Sequence, residues 1–169
     1  MAGTVSAEIS YADAWQRTQD GLRQVVPLAE ELGVKLAVEN VWNHFLLSPL
    51  EAARFVDELN SPAIAWHFDI GNAIYLGWPE QWIRILGKRI HKLHVKEYSR
   101  KKMNEGGLVA GFGVEYLAGD DDWPAVMKAL DDIGYHGWAT AEPAWHPPGV
   151  DGATRLKQIS EKMDRIFAL

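Results

Sequence analysis

The chain contains no cysteine. Disulfides and thiolate-held metals are excluded, so any bound metal must rest on oxygen and imidazole nitrogen. Basic residues are also in deficit: 17 Lys and Arg stand against 23 Asp and Glu, for a formal net charge of -6. A nucleic-acid partner requires a basic surface to meet its phosphates, and none is expected here. The short run Arg100-Lys101-Lys102 is the one basic cluster. No uninterrupted apolar run reaches membrane-spanning length, and Met1-Ala2-Gly3-Thr4-Val5-Ser6 lacks the basic and apolar regions of a signal peptide. The expectation is a cytoplasmic protein with no membrane contact. Internal repeats and low-complexity tracts are missing as well.

What remains is a globular composition. Hydrophobic residues make up 47% and charged residues 24% of 169 positions, enough for one domain spanning residues 1–169 with a core of its own. Eight tryptophans are many for this length. Trp42, Trp66, Trp78 and Trp145 sit beside polar strand ends or Gly and Pro, where they would serve either as walls of a sugar-sized pocket or as core packing.

Periodicity divides the chain into alternating helices and strands. Trp15, Leu22, Val25, Val26, Ala29 and Leu32 share one face of a helix over 12–32, ended by Gly33. Val34 to Glu39 reads as a buried strand. Ser48-Pro49-Leu50-Glu51 combines an N-cap, a first-turn proline and a capping-box glutamate, and opens a helix to about Leu59. Ile64 to Asp69 is a second strand, followed by a loop at Ile70-Gly71-Asn72. A short helix after Gly77-Trp78-Pro79 stops at Gly87. Ile90 to Val95 is a third strand. Residues 97–121 form a long loop with five glycines, and loops of that length within a domain are usually functional. Asp122-Trp123-Pro124 starts a helix over 125–133. Trp138 to Glu142 is the fourth strand, and Leu156, Ile159, Met163 and Ile166 mark the inward face of a last helix over 153–168.

This alternation predicts a parallel sheet with helical crossovers. An open doubly wound sheet and part of a (β/α)8 barrel both satisfy it. No G-x-G-x-x-G follows any strand, which argues against a dinucleotide fold. Chemistry-bearing residues at the C-terminal ends of successive strands favour the barrel. Those residues are Glu39, Asp69, His94 and Glu142. Three carboxylates and one imidazole make a hard, oxygen-rich set that suits Mn²⁺ or Mg²⁺, with Co²⁺ or Zn²⁺ as alternatives. Alternation places His67 on the side of Asp69, Lys96 on the side of His94, and His91 on the opposite face, where a structural role is expected.

The segments Glu39-Asn40, His67-Phe68-Asp69-Ile70-Gly71-Asn72, His91-Lys92-Leu93-His94-Val95-Lys96-Glu97 with Arg100, and Ala141-Glu142-Pro143 resemble the xylose isomerase-like TIM barrels. Within that family they are similar to the sugar and sugar-phosphate isomerase/epimerase group, which includes ketose 3-epimerases and hydroxypyruvate isomerases. The resemblance runs from Trp15 to the last helix. It implies Glu39, Asp69, His94 and Glu142 as metal ligands. It also implies that Glu39 and Glu142 act as acid and base on opposite faces of a sugar, through a metal-stabilised enediolate. Arg100, six residues after His94, would bind a substrate oxygen, with His67, Asn72 and Lys96 as further substrate-binding groups. The pattern departs from the epimerases twice. The paired histidines His91 and His94 are three apart rather than two, and Asn72 stands where those enzymes commonly carry a histidine. Asn72 hydrogen-bonds but carries no proton, so a cyclitol or sugar-acid dehydratase using the same metal is the alternative. A non-catalytic assembly module is the other.

The matching segments correspond to the last four strands of such a barrel, which needs about 250 residues in all. Met1-Ala2-Gly3-Thr4-Val5 reads as the remnant of a preceding strand end. Four strands alone leave two open edges and an uncovered inner face. Self-association, with two four-strand halves closing a barrel-like homodimer, is therefore expected.

Overall fold

The structure, a computed structural model, describes residues 3–169. Its order is α1 (Tyr11–Leu32), β1 (Leu36–Glu39), α2 (Pro49–Leu59), β2 (Ile64–Asp69), α3 (Ile70–Ile74), α4 (Pro79–Leu86), β3 (Ile90–Val95), α5 (Arg100–Gly106), α6 (Trp123–Asp132), β4 (Trp138–Ala141) and α7 (Gly152–Phe167). The four strands form one parallel sheet in the order β1-β2-β3-β4. Met1 and Ala2 of the expected strand remnant lie outside the described residues. Gly3 to Val5 are irregular, held by Val5 N–H on the Asn43 carbonyl (3.1 Å) and by the Asn43 side chain on the Gly3 carbonyl (2.6 Å).

Local signals set the helix ends. Ser10, Ser48, Asp122 and Asp151 each accept a backbone N–H of the first turn, and Gly33 closes α1 at φ 65°. Such caps satisfy donors that the helix leaves without partners. The helices line one face of the sheet in a row, α1 against α2, α2 against α4, α4 against α6 and α6 against α7. Between them and the strands lies the core, with Trp66, Phe68, Leu93 and Val95 from the sheet and Phe55, Ile83, Leu86, Val126 and Ile166 from the helices. The other face is bare. Ala37 and Thr140 are exposed there, and Trp138 retains 84% of its surface.

Several expectations need correction. Ile70 to Ile74 is a helical turn rather than a loop, capped by the Asp69 side chain, which accepts the Asn72 N–H. The strand expected from Val34 starts at Leu36, because Val34 N–H bonds back to Ala29 at the close of α1. Leu156, Val25 and Leu32 were expected inward and are exposed; Arg155, Gln19 and Ala14 are buried instead. In α7 the reason is electrostatic: Arg155 turns inward to meet Glu115 at 3.0 Å. Trp66 is fully buried, so of the four tryptophans considered for a pocket it is a core residue.

The long β3–α6 connection is not free. It holds α5 and a 3-10 turn over Leu108–Phe112, and it is tied to the end of β3 by Glu97. That side chain, 4% exposed, accepts Leu117 N–H (2.7 Å), Trp123 Nε1–H (2.9 Å) and Asp121 N–H (3.3 Å). Leu117 adopts φ 67°, a left-handed conformation that only a firm tie maintains in a branched residue. Asp121 beside it is held well above the usual carboxylate range, first by burial and then by the Glu97 charge. Removing the clamp orphans three donors. We expect Glu97→Ala to cost about 3 kcal/mol of unfolding free energy in a urea titration, with Glu97→Gln, which keeps one acceptor oxygen, costing less.

Candidate functional site

Strand alternation delivers the site. On β3, Leu93 and Val95 enter the core, so His94 turns to the open face. The same rule separates Glu39 from Val38 and Asp69 from Phe68. Register then aligns the ends: Glu39 lies opposite His67, and Asp69 opposite His94. Glu142 follows β4 by one residue, and its N–H extends the ladder to the Val95 carbonyl at 2.9 Å.

The four predicted ligands converge. Glu39, Asp69, His94 and Glu142 each offer a ligand atom, and all four atoms lie within 4.8 Å of one another. His94 Nδ1 is 2.9 Å from Glu39 Oε1, 3.1 Å from Glu142 Oε2 and 3.9 Å from Asp69 Oδ2. A six-coordinate ion with bonds of about 2.1 Å separates neighbouring donors by about 3 Å, so the spacing and the oxygen-rich donor set both fit a divalent cation. Glu39, His67 and His94 form a second, overlapping group. The His67 ring is 4.0 Å from that of His94, and its buried Nε2 has no hydrogen-bond partner. Burial, followed by electrostatic interaction with the neighbouring His94 and Lys92, lowers His67 to about 4, so its ring is neutral at pH 7.

Lys96 enters the same cluster. Its ammonium is 2.7 Å from Asp69 Oδ2 and 2.7 Å from Glu142 Oε2, and 3.4 Å from Asn72 Oδ1. Asp69 is fully buried, and burial raises its pKa to about 7 against the opposing pull of Lys96 and the Asn72 N–H. Burial also opposes the ionised form of Glu142, but hydrogen bonds from Lys96 and Asp69 outweigh it and leave the group lowered. For Lys96 the carboxylate partners likewise overcome burial and raise it.

Asn40 is a site residue to which sequence reasoning gave no role. Its side chain accepts the Asp69 N–H (2.9 Å) and donates to the Asp69 carbonyl (2.8 Å), while its own carbonyl accepts from the Asn72 side chain (3.0 Å). These bonds fix the end of β2 against the end of β1. The only sequence signal was an amide directly after a strand-terminal glutamate. Asn72 is thereby buried and committed to structure on three sides, since Trp42 Nε1 also donates to its carbonyl at 3.2 Å. Trp42 packs in tilted and edge-on contacts against Tyr75, Tyr98 and Phe112, forming an aromatic wall beside Lys96. Arg100, the first residue of α5, donates to the carbonyls of Ile74 (3.1 Å) and Gly77 (2.7 Å) next to the exposed Trp78. His91 is exposed at a register shift between β2 and β3, away from the ligand cluster.

Comparison with known proteins supports the fold. The chain is 26% identical over 166 residues to an inosose dehydratase of Clostridium perfringens, an alignment covering 89% of this chain and 55% of that protein. The chain thus spans about half the length of the curated relatives it matches. Among solved structures, D-psicose 3-epimerase from Clostridium cellulolyticum H10 superposes with a TM-score of 0.78 at 19% identity, covering 97% of this chain and 60% of that one. The IolI protein with a bound zinc atom superposes with a TM-score of 0.72 at 19% identity, covering 98% and 60%. The sequence profile of the xylose isomerase-like TIM barrel family matches residues 1–167, and with four βα units carrying polar groups at their C-terminal strand ends, the chain belongs to that family.

Proposed function

We propose that this chain supplies the metal-bearing half of a sugar or sugar-phosphate isomerase/epimerase site, working by proton transfer at a carbon next to a carbonyl. The observation that carries the reading is the approach of Glu39, from β1, and Glu142, from the end of β4, to the same His94 Nδ1, at 2.9 and 3.1 Å. Glu39, Asp69, His94 and Glu142 would hold a divalent ion, Mn²⁺ or Mg²⁺ by preference for oxygen, with Co²⁺ or Zn²⁺ as alternatives. Such an ion supplies Lewis-acid polarisation of the carbonyl, acidifying the neighbouring C–H. One glutamate, entering as its carboxylate, would take the carbon-bound proton, and the other, entering as its carboxyl, would give its own proton to the same carbon from the opposite face and be left ionised. Lys96 offers its ammonium to the oxygen on which negative charge develops. His67, neutral, can hydrogen-bond a hydroxyl, Asn72 orders the loop end beneath it, and Arg100 serves a substrate oxygen by exchanging the Gly77 carbonyl for it.

A second reading is dehydration of a cyclitol or sugar acid. It is favoured by the inosose dehydratase relatives and by Asn72, which cannot carry the second proton expected of a histidine at that place. The proton abstracted from carbon would then leave with the β-hydroxyl as water.

Completion of the barrel is part of the proposal. The unpaired side of β1 borders a groove of about 680 Å³ lined by Arg17, Thr18, Leu22, Leu36 and Val38, and β4 is open on the other side. We take the occupant to be a second copy, whose β4 seats beside β1 and whose β1 receives β4 in return, since this pairs both open edges at once. Among the described residues no helix is long and apolar enough to cross a membrane.

Four outcomes check these readings. Calorimetry with Mn²⁺ should show one site per chain, abolished by Glu39→Gln with Asp69→Asn; unchanged affinity in the double variant rejects the ligand set. Because burial raises Asp69 to about 7, metal affinity should rise with pH through that value and level off about one pH unit above it. Ketoses incubated in D2O should exchange the proton beside the carbonyl, as read by NMR, whereas dehydration releases water and forms a new keto product. Light scattering at micromolar concentration should give twice the chain mass of 18.9 kDa, and a stable monomer rejects the second copy as the partner.

A further inference from the structure

We infer that Lys96 is a built-in counter-cation of the metal-free site, standing in for the divalent ion and competing with it. The inference rests on the metal reading above and specifies how the site survives without its ion. Three carboxylates meet here with one imidazole, and Asp69 has no exposed surface at all. Like charges at such spacing are costly in a low-dielectric setting unless a cation sits among them. Lys96, itself 8% exposed, supplies that cation: its ammonium touches Asp69 Oδ2 and Glu142 Oε2 at 2.7 Å each. These are two of the oxygens that a metal would require.

Its placement is built rather than incidental. Lys96 continues the alternation of β3 beyond Val95, which turns its stem to the ligand face. Its side chain lies over the backbone of Gly71, where any Cβ would come within 2.8 Å of Lys96 Cγ and 2.8 Å of the Lys96 carbonyl oxygen. Glycine at that position leaves room for the lysine stem. On its other side the ammonium is 5.2 Å from the centre of the Phe112 ring, whose face favours a cation. The Asn72 amide oxygen, at 3.4 Å, completes the surround. A long flexible side chain is thus packed by backbone, ring and carboxylates with its charge at the mouth of the ligand set.

Two consequences of opposite sign follow. Without metal, Lys96 stabilises the fold by balancing the carboxylates. With metal, the same positive charge faces a divalent ion across shared oxygens and weakens its binding. A lysine that merely packs or orients would affect both states alike.

The test compares wild type, Lys96→Met and Lys96→Arg at pH 8, using Mn²⁺ as the probe. Lys96→Met should lower the melting temperature of chelator-treated protein by about 8 °C. In saturating Mn²⁺ the variant should melt within about 2 °C of wild type. Its Mn²⁺ affinity by calorimetry should rise about tenfold or more. Lys96→Arg, which keeps the charge, should stay near wild type in both measurements. Should Lys96→Met fold only when Mn²⁺ is added, that rescue supports the inference. Equal melting losses with and without Mn²⁺, or an affinity that is unchanged or lower, overturns it while leaving the metal site standing. A wild-type protein that takes up no Mn²⁺ overturns the metal reading and this inference together.

Discussion

Three carboxylates whose oxygens lie within 4.8 Å of one another and of an imidazole need a proton or a cation between them, and the architecture around β1 to β4 is arranged about that requirement. Asp69 is wholly buried, Glu39 and Glu142 lean on His94, and Lys96 reaches in from the next outward position of its strand. Each group alone would be better off in water. They are held together because their strands are fixed in parallel register by a core on the opposite face, where Trp66, Phe68, Leu93 and Val95 bury apolar surface against the helices. Burial on one side of the sheet therefore finances strain on the other.

The supporting hydrogen bonds follow the same logic. Asn40 ties β1 to the end of β2 through both polar atoms of its side chain, and Glu97 gathers Leu117, Asp121 and Trp123 onto the end of β3. One acts directly on Asp69, a proposed metal ligand. The other fixes the connection whose Phe112 borders Lys96. A site made from strand ends gains rigidity in this way even where long connections emerge from it.

Much of this was legible in the sequence, for definite reasons. A polar residue ending an apolar alternating run has only one place to point, so the sequence sets Glu39, Asp69, His94 and Glu142 on a common rim. Lys96 and His67 followed from the same two-residue period. What escaped was of three kinds. The turn at Ile70 to Ile74 is five residues long, includes a glycine and starts with no break after a strand, so it carries no helical period. The bond partners of Asn40, Glu97 and Arg100 were also hidden, because a sequence shows that a side chain is polar without showing which backbone it will meet. Leu156 illustrates a third limit: an apolar stripe on α7 predicted it inward, but the ion pair of Arg155 with Glu115 claimed that space.

The direct junction of β2 and α3 has an implication for how genetic variants of this site should be read. Asp69 is at once a proposed ligand and the residue whose Oδ1 caps the following turn at Asn72 N–H, 2.8 Å away. Truncating it removes a charge donor and unravels the backbone that carries Asn72 and Trp42's acceptor, so a loss of function in Asp69→Ala would confound chemistry with architecture. Asparagine alone separates the two, since its carbonyl oxygen can keep the cap while surrendering the charge. Glu39 caps no turn among the described residues, so its substitution leaves the backbone intact and removes a proposed ligand and a proposed acid–base group together.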